Sequence, residues 1–430
     1  MTAPGEATGR DVVAEAARLL IGNGHTTTGT IESVERLARA YGFAVTVVPN
    51  WASLTLLDSE GVHLREIPVQ PEAVHMGVVT AVLDTIAWTT ATTTPPSTGV
   101  VAARLAEDAR RPASSTIAFA VAAATGASSL AVIFGAVRPS SFVLIPMAAA
   151  AGAVLRRFLG RHGVALTGQA FAAAFIGGLA GLLSMHFDIS SPARLVAVCP
   201  AMVLVPGPHL LNAALDIASR RMTIGLGRLA YGSLITLGIC AGLLLGLGGG
   251  GALPVSTAGL SVPIALDVVA AAVAAASYPV YFSLDLRFVI WPAAVGALAH
   301  GVRWLALTYL NAGMVGGGFL ACLVAGLLLV PVAHRFRVSF AGVGFAAVVA
   351  LVPGVYIFRA VAGMYDLTVH ASAETATAVG MDGSTALLTL IAMAVGLIVG
   401  SNVSAASGWA GWSCRRPRAG TPRSRPRRPR

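Results

Sequence analysis

The sequence predicts an all-α polytopic membrane protein, with about ten transmembrane helices in two inverted five-helix repeats and a small α+β cytosolic N-terminal domain. Three observations predict it. Of 430 residues, 56% are apolar and only 11% charged, with a mean hydropathy of +0.77, whereas about a quarter of a soluble domain is charged. Between Thr116 and Val403 apolar stretches succeed one another, each near the ~20 residues that cross the hydrocarbon layer. MVLVPG at Met202 to Gly207 returns as VALVPG at Val349 to Gly354, 147 residues later.

The chain divides into a cytosolic domain (1–112), a first five-span part (113–250), a second five-span part (260–405) and an Arg/Pro tail (414–430). In the first part of the chain, Val12 to Ile21 and Thr30 to Tyr41 carry apolar residues at helical spacing, with Gly22 to Gly24 as a break and Thr28 or Thr30 as the expected cap. Strands are expected at Ala44 to Val48, Ala52 to Leu57 and Val62 to Ile67, with Asp58 to Gly61 as a hairpin turn. Helices at Pro71 to Trp88 and Val100 to Arg110 flank a break at Pro95 and Pro96.

Several chemistries are excluded. His25, His63 and His75 lack ligand spacing, and the Gly22 to Gly24 stretch lacks the strand context and third glycine of a nucleotide fingerprint. The chain therefore reads as a non-enzyme without cofactor or metal. Cys199, Cys240, Cys322 and Cys414 are too scattered for a disulfide framework. The first 30 residues carry Glu6, Asp11 and Glu15 rather than a basic start and an apolar core, so the N-terminus is expected to stay cytosolic.

The expected spans are 116–136, 141–155, 164–184, 195–215, 229–248, 262–282, 288–308, 312–333, 339–358 and 383–403, the second being short. With the N-terminus inside, the cytoplasmic connections receive Arg156, Arg157, Arg161, Arg220, Arg221, Arg228, Arg287, Arg335 and Arg337. The other side receives Arg138, Arg194, Arg303 and Arg359, so the asymmetry follows the positive-inside rule and places both termini in the cytoplasm of a cell inner membrane. The formal charge of +10 owes much to eight arginines between Arg415 and Arg430, interleaved with prolines. Such a flank meets anionic lipid headgroups and gives no reason to expect a specific nucleic acid.

The two LVPG copies fall in the fourth span of each half. Around them RPSSFVLIPMAAAAG (138–152) is matched by LRFVIWPAAVG (286–296), and AFIGGLAGLL (174–183) by FLACLVAGLLL (319–329). Five is odd, so a repeated half lies upside down, as in many alternating-access transporters. Pro206, Gly207, Pro353 and Gly354 are then expected to interrupt their helices and turn polar backbone to a protected cavity. The polar candidates beside them are His209, Asn212, Asp216, Tyr356 and Asp366, with Asp267 and Asn311 in other apolar or boundary segments. A carboxylate inside a bilayer needs water or a partner, which makes Asp267 the candidate for ion coupling. Asp216 reads as interfacial, beside Arg220 and Arg221.

ARLLIGNG, SVERLARAYGF, RRFLGRHG, the first LVPG with Asn212 and Asp216 after it, and the later ALVPG together resemble the threonine/serine exporter family, over nearly everything from Ala14 to Val403. Around Thr26 and Ile31 family members often carry acidic residues, where this chain has Glu32 as its nearest carboxylate. The resemblance implies a proton-motive-force-coupled secondary exporter, an antiporter whose partners are a small amino acid and protons. Asn212 or Tyr356 would then meet the substrate hydroxyl. Three matters stay open on the residues: assembly as a homo-oligomer, export of another small polar metabolite, and a scaffold or sensor role in which the cytosolic domain binds a partner.

Overall fold

The computed structural model describes residues 7–136, 138–187, 193–248 and 262–407. The expectations for the Arg/Pro tail and Cys414 lie outside the described residues.

The chain opens with α1 (Gly9–Gly22) and α2 (Thr27–Ala40). Thr8 and Asp11 form a reciprocal capping box at the start of α1. The cap of α2 is Thr26, not Thr28 or Thr30, because the backbone is still extended there and its hydroxyl accepts from the Gly29 N–H. Thr28 instead accepts from Arg221, and Thr30 donates to the Thr26 carbonyl. Strands β1 (Thr46–Pro49), β2 (Ser53–Leu57) and β3 (His63–Pro68) make an antiparallel sheet in that order. A register slip at Leu56/Leu57 accompanies the imperfect alternation of the third strand. Helices α3 (Met76–Thr90) and α4 (Thr98–Ala109) complete this unit. The third helix begins at Met76 rather than Pro71, since residues 71–75 are turn and coil and His75 caps it through Nδ1. Val13, Leu20, Leu37, Leu54, Val79 and Leu105 share one buried core, which also takes in Ile224 from a later helix.

The remaining helices are long and apolar. The first half runs α5 (Thr116–Ile133), α6 (Ser141–Arg161), α7 (Leu166–His186), α8 (Ala193–Met202), α9 (Gly207–Ala218) and α10 (Met222–Gly246). The second runs α11 (Ile264–Tyr281), a 3-10 turn at Leu286–Phe288, α12 (Ile290–Tyr309), α13 (Gly313–Phe336), α14 (Phe340–Val348), a 3-10 turn at Val349–Leu351, α15 (Gly354–Val369) and α16 (Ala373–Ala406). Among the described residues eight helices are long and apolar enough to cross a membrane, and ten spans result if each of two bent pairs is one. The chain is thus a multi-pass membrane protein. The expected short second span is a full 21-residue helix that continues past Arg156 and Arg157. The last helix starts ten residues before the expected 383, at Ala373.

Both halves pack alike. On α10, Gly242 and Gly246 lie so close to the Phe171 and Phe175 carbonyls of α7 that a methyl group would overlap them. On α16, Gly396 and Gly400 stand in the same relation to the Phe319 and Leu323 carbonyls of α13. With no hydrophobic force between helices in lipid, such small-residue seams let backbones approach for van der Waals contact. The seam fixes an internal register: Gly178 meets the Leu243 carbonyl as Gly326 meets that of Leu397. In that register Gly326 answers Gly178, not the Gly181 of the matching AGLL phrase.

Candidate functional site

Each LVPG copy breaks its helix. The two segments meet at 55° across the first break and at 66° across the second. Pro206 (φ −79°, ψ 58°) and Pro353 (φ −77°, ψ 47°) have nearly the same conformation. At each, the glycine N–H bonds back two residues, Gly207 to the Val205 carbonyl and Gly354 to that of Val352, both at 2.8 Å. This is an inverse γ-turn, reached because proline fixes φ and supplies no N–H to continue the helical ladder.

The breaks face across to the opposite half. Gly207 packs directly on the Phe345 ring of α14, with no room for a Cβ, and Gly354 packs on the Met202 side chain of α8. Tyr278, fully buried on α11, places its hydroxyl 3.5 Å from the Met202 carbonyl. The polarity here is mainly that of interrupted backbone.

The other sequence candidates separate into two groups. His209, Asn212 and Asp216 lie buried on α9, toward the N-terminal unit. Asn212 donates to the Gly24 carbonyl at 3.2 Å, and the His209 ring meets Tyr231 edge-on at 5.3 Å between centroids. Asp216 is 1% exposed; it keeps the expected neighbour Arg221 at 3.8 Å, but its close partner is Arg228 of α10 at 2.6 Å. Thr27 inserts between the two charges, accepting from Arg228 and donating to Asp216, each at 2.9 Å. His25 is buried at the same contact, and desolvation first, then the Arg228 charge, pushes it down to about 3. It is therefore neutral.

At the other end, Asp267 in the first turn of α11 is buried and lies 3.0 Å from His300 Nδ1 of α12. Phe282, just past the last turn of α11, accepts from the Met76 N–H of the N-terminal unit. Fifteen residues of helical rise separate it from Asp267, about 22 Å. His300 is 0% exposed, and its Nε2 has no partner among the described residues. Arg303, one turn on along α12, donates to Met314 Sδ at 3.3 Å. Arg359 of α15 and Asp382 of α16 form a mostly buried ion pair at 2.8 Å. Asn311 sits in the turn between α12 and α13 with φ 49° and is exposed, a connection residue. Asp366 lies near the end of α15, 3.4 Å from His370. The structure thus pairs Asp267 with His300, while Asn212 and Asp216 meet the N-terminal unit.

Sequence reasoning missed His300, Arg228, Asp382 and Thr27. His300 was visible as a lone polar residue in an apolar span. Asp382 fell one residue before the expected start of the last span.

The threonine/serine exporter family model matches residues 11–248, and a second threonine/serine exporter model matches residues 267–403. No curated protein and no solved structure gives a match to this chain. With the first match covering more than half of the sequence and the second most of the rest, the chain belongs to the threonine/serine exporter family.

Proposed function

From that membership, we propose that the chain is a proton-coupled secondary exporter of threonine, serine or similar small amino acids, working by alternating access in a cell inner membrane with both termini in the cytoplasm. The observation that carries the reading is the pair of matched breaks, each seated against the opposite half. Broken helices at a repeat interface leave backbone groups free to hold a zwitterion where membrane depth otherwise forbids polar atoms.

Inversion of the halves is supported by where helix ends lie. Ser114, just before α5, donates its N–H to Ser283, just after α11. The first helix of one half therefore begins where the first helix of the other ends, so the two run in opposite directions. The N-terminal unit contacts that same face, which makes it the cytoplasmic one in this reading.

Asp267 and His300 are the proton-coupling pair of this proposal. A carboxylate beside an imidazole with a free nitrogen can take a proton from one side and release it to the other as the surrounding helices shift. No covalent step is required. Counterflow in proteoliposomes, with a panel of labelled amino acids, tests the reading. Threonine and serine are expected to exchange, and an imposed pH gradient to drive net flux. Absence of exchange for every small amino acid would overturn it.

A further inference from the structure

On the face that carries the N-terminal unit, four side chains form a continuous stack. Arg157 lies 4.2 Å over the Phe119 ring, Phe119 stacks on Tyr281 at 4.3 Å between centroids, and Arg156 lies 5.3 Å from the Tyr281 ring while bonding its hydroxyl. Arg157 also donates to the Ser114 carbonyl and hydroxyl, at 3.1 and 3.0 Å. Among the described residues neither guanidinium has a carboxylate partner. Two adjacent cations in a half-buried aromatic setting are costly unless an anion joins them.

The second half shows what a compensated version looks like. Phe119 and Asp267 are each the fourth residue of their helix. Arg157 follows Pro146 by eleven residues, and Arg303 follows Pro292 by eleven. At the far face, therefore, Asp267 stands where Phe119 stands at the near face, and it sets a carboxylate 3.0 Å from His300, one turn before Arg303 on α12. At the near face that counter-ion is replaced by a phenyl ring.

Two buried polar atoms lie beside it. Arg157 Nε has no partner among the described residues, and His75 Nε2 has only the Arg111 backbone near it. His75 Nδ1 accepts from the Val78 N–H, so the neutral ring carries its hydrogen on Nε2. Burial first, then the charges of Arg157 and Arg111, keep His75 below its usual range. Beside Tyr281 lies a cavity of about 10 Å³, room for one water, lined by Gly152, Ala153, Pro200, Val203 and Leu204.

Resting on the exporter reading above, we infer that Arg156 and Arg157, stacked on Tyr281 and Phe119, form the cytoplasmic docking site for the α-carboxylate of the exported amino acid. A guanidinium presents parallel N–H groups that match a carboxylate. The substrate carboxylate supplies a negative charge where the other half carries Asp267.

The test measures threonine counterflow and binding of labelled threonine to the solubilised protein, for wild type, Arg157→Lys, Arg157→Gln and Phe119→Asp. Arg157→Gln is expected to raise KM and Kd by about 10- to 100-fold, as loss of a charge-assisted bond does, with a smaller change in maximal rate. Arg157→Lys falls between it and wild type. Phe119→Asp installs an internal counter-ion and raises KM likewise. A competing amino alcohol, which lacks the carboxylate, discriminates further: it competes poorly with threonine on wild type, and this disadvantage shrinks in Arg157→Gln. Unchanged KM in both Arg157→Gln and Phe119→Asp overturns the assignment while leaving the exporter reading intact. So does an effect that vanishes in vesicles of neutral lipid, since Arg157 would then hold a headgroup phosphate. If Arg157→Gln fails to insert, Arg157→Lys and Phe119→Asp decide the matter. A wild type that neither binds nor exchanges threonine or serine overturns the exporter reading, and this one with it.

Discussion

Asp216 and Arg228 form a 2.6 Å ion pair, both essentially removed from solvent, and the Thr27 hydroxyl of the N-terminal unit bonds to each. The contact is therefore part of a buried polar network rather than a surface touch. Replacing Arg228 with Met leaves Asp216 buried with the Thr27 hydroxyl and, as its one remaining cation, the more distant Arg221, and loss of about 3–5 kcal/mol is expected. Thr27→Val removes one neutral bridge and costs about 1–3 kcal/mol. Thermal unfolding and protease sensitivity of the N-terminal unit check both, and equal stability of the Thr27 variant and wild type would contradict the bridging role.

His25 gives this contact a pH dependence. Its folded-state pKa of about 3 lies below the unfolded value of about 6.5. Stability from keeping the ring neutral is thus complete above about 6.5 and is lost as pH falls from there toward 3. Asp11, drawn down to about 2 by the Thr8 side chain and backbone and then by Arg65, adds a lower window, from about 4 to 2. His25→Gln is expected to flatten the upper window and leave the lower one. A melting-temperature series across pH separates them.

The spans, the breaks and the secondary structure of the N-terminal unit were legible because hydropathy, periodicity and proline act locally. Pro206 and Pro353 could be read from sequence since a missing N–H interrupts a helix whatever surrounds it. The pairings were not legible, because they join residues far apart in the chain: Thr27 to Asp216, Asp267 to His300, Arg359 to Asp382. Arg220 and Arg221 are the sequence neighbours of Asp216, and Arg221 does lie 3.8 Å from it. The turn at Ser219 to Arg221 also brings α10 back alongside, and Arg228 becomes the closer partner.

Asp267→Asn preserves shape while removing the charge beside His300. Flux driven by a pH gradient is expected to fall about 5- to 150-fold, the span of an ordinary 1–3 kcal/mol coupling, while substrate exchange without a gradient persists. His300→Gln is expected to do the same and to shift the pH profile of transport. Gradient-driven flux at wild-type level in both variants would remove the pair from the coupling mechanism.

The two break glycines are not equally tolerant. A methyl at Gly207 runs into the Phe345 ring, which is held among Tyr278 and Phe282, so Gly207→Ala should cost about 1–3 kcal/mol and impair transport. A methyl at Gly354 meets the Met202 side chain at 3.2 Å, and a flexible thioether can yield, so Gly354→Ala should cost under about 1 kcal/mol. Melting temperatures and counterflow rates of the two variants, compared side by side, check the order.

Arg359 and Asp382 provide the test of symmetry. Asp382 precedes Gly396 by fourteen residues, as Arg228 precedes Gly242, so the two occupy equivalent places on the last helix of each half. Each pairs with the helix that follows the break, but the charges are exchanged: the acid lies on α9 in one half, the base on α15 in the other. If the pairs fasten the post-break helix to its neighbour, what matters is opposite charge across the contact, not which helix carries which sign. Arg359→Asp alone or Asp382→Arg alone sets like charges together in a mostly buried site and is expected to destabilise by about 3–5 kcal/mol and abolish exchange. The double variant restores the pair in the orientation already used by Asp216 and Arg228, and recovery of at least half the wild-type exchange rate is the expected order of magnitude for such a coupled pair. Single variants that transport normally would show the contact to be dispensable. A double variant no better than the singles would show that Arg359 or Asp382 has a role of its own beyond fastening the arm.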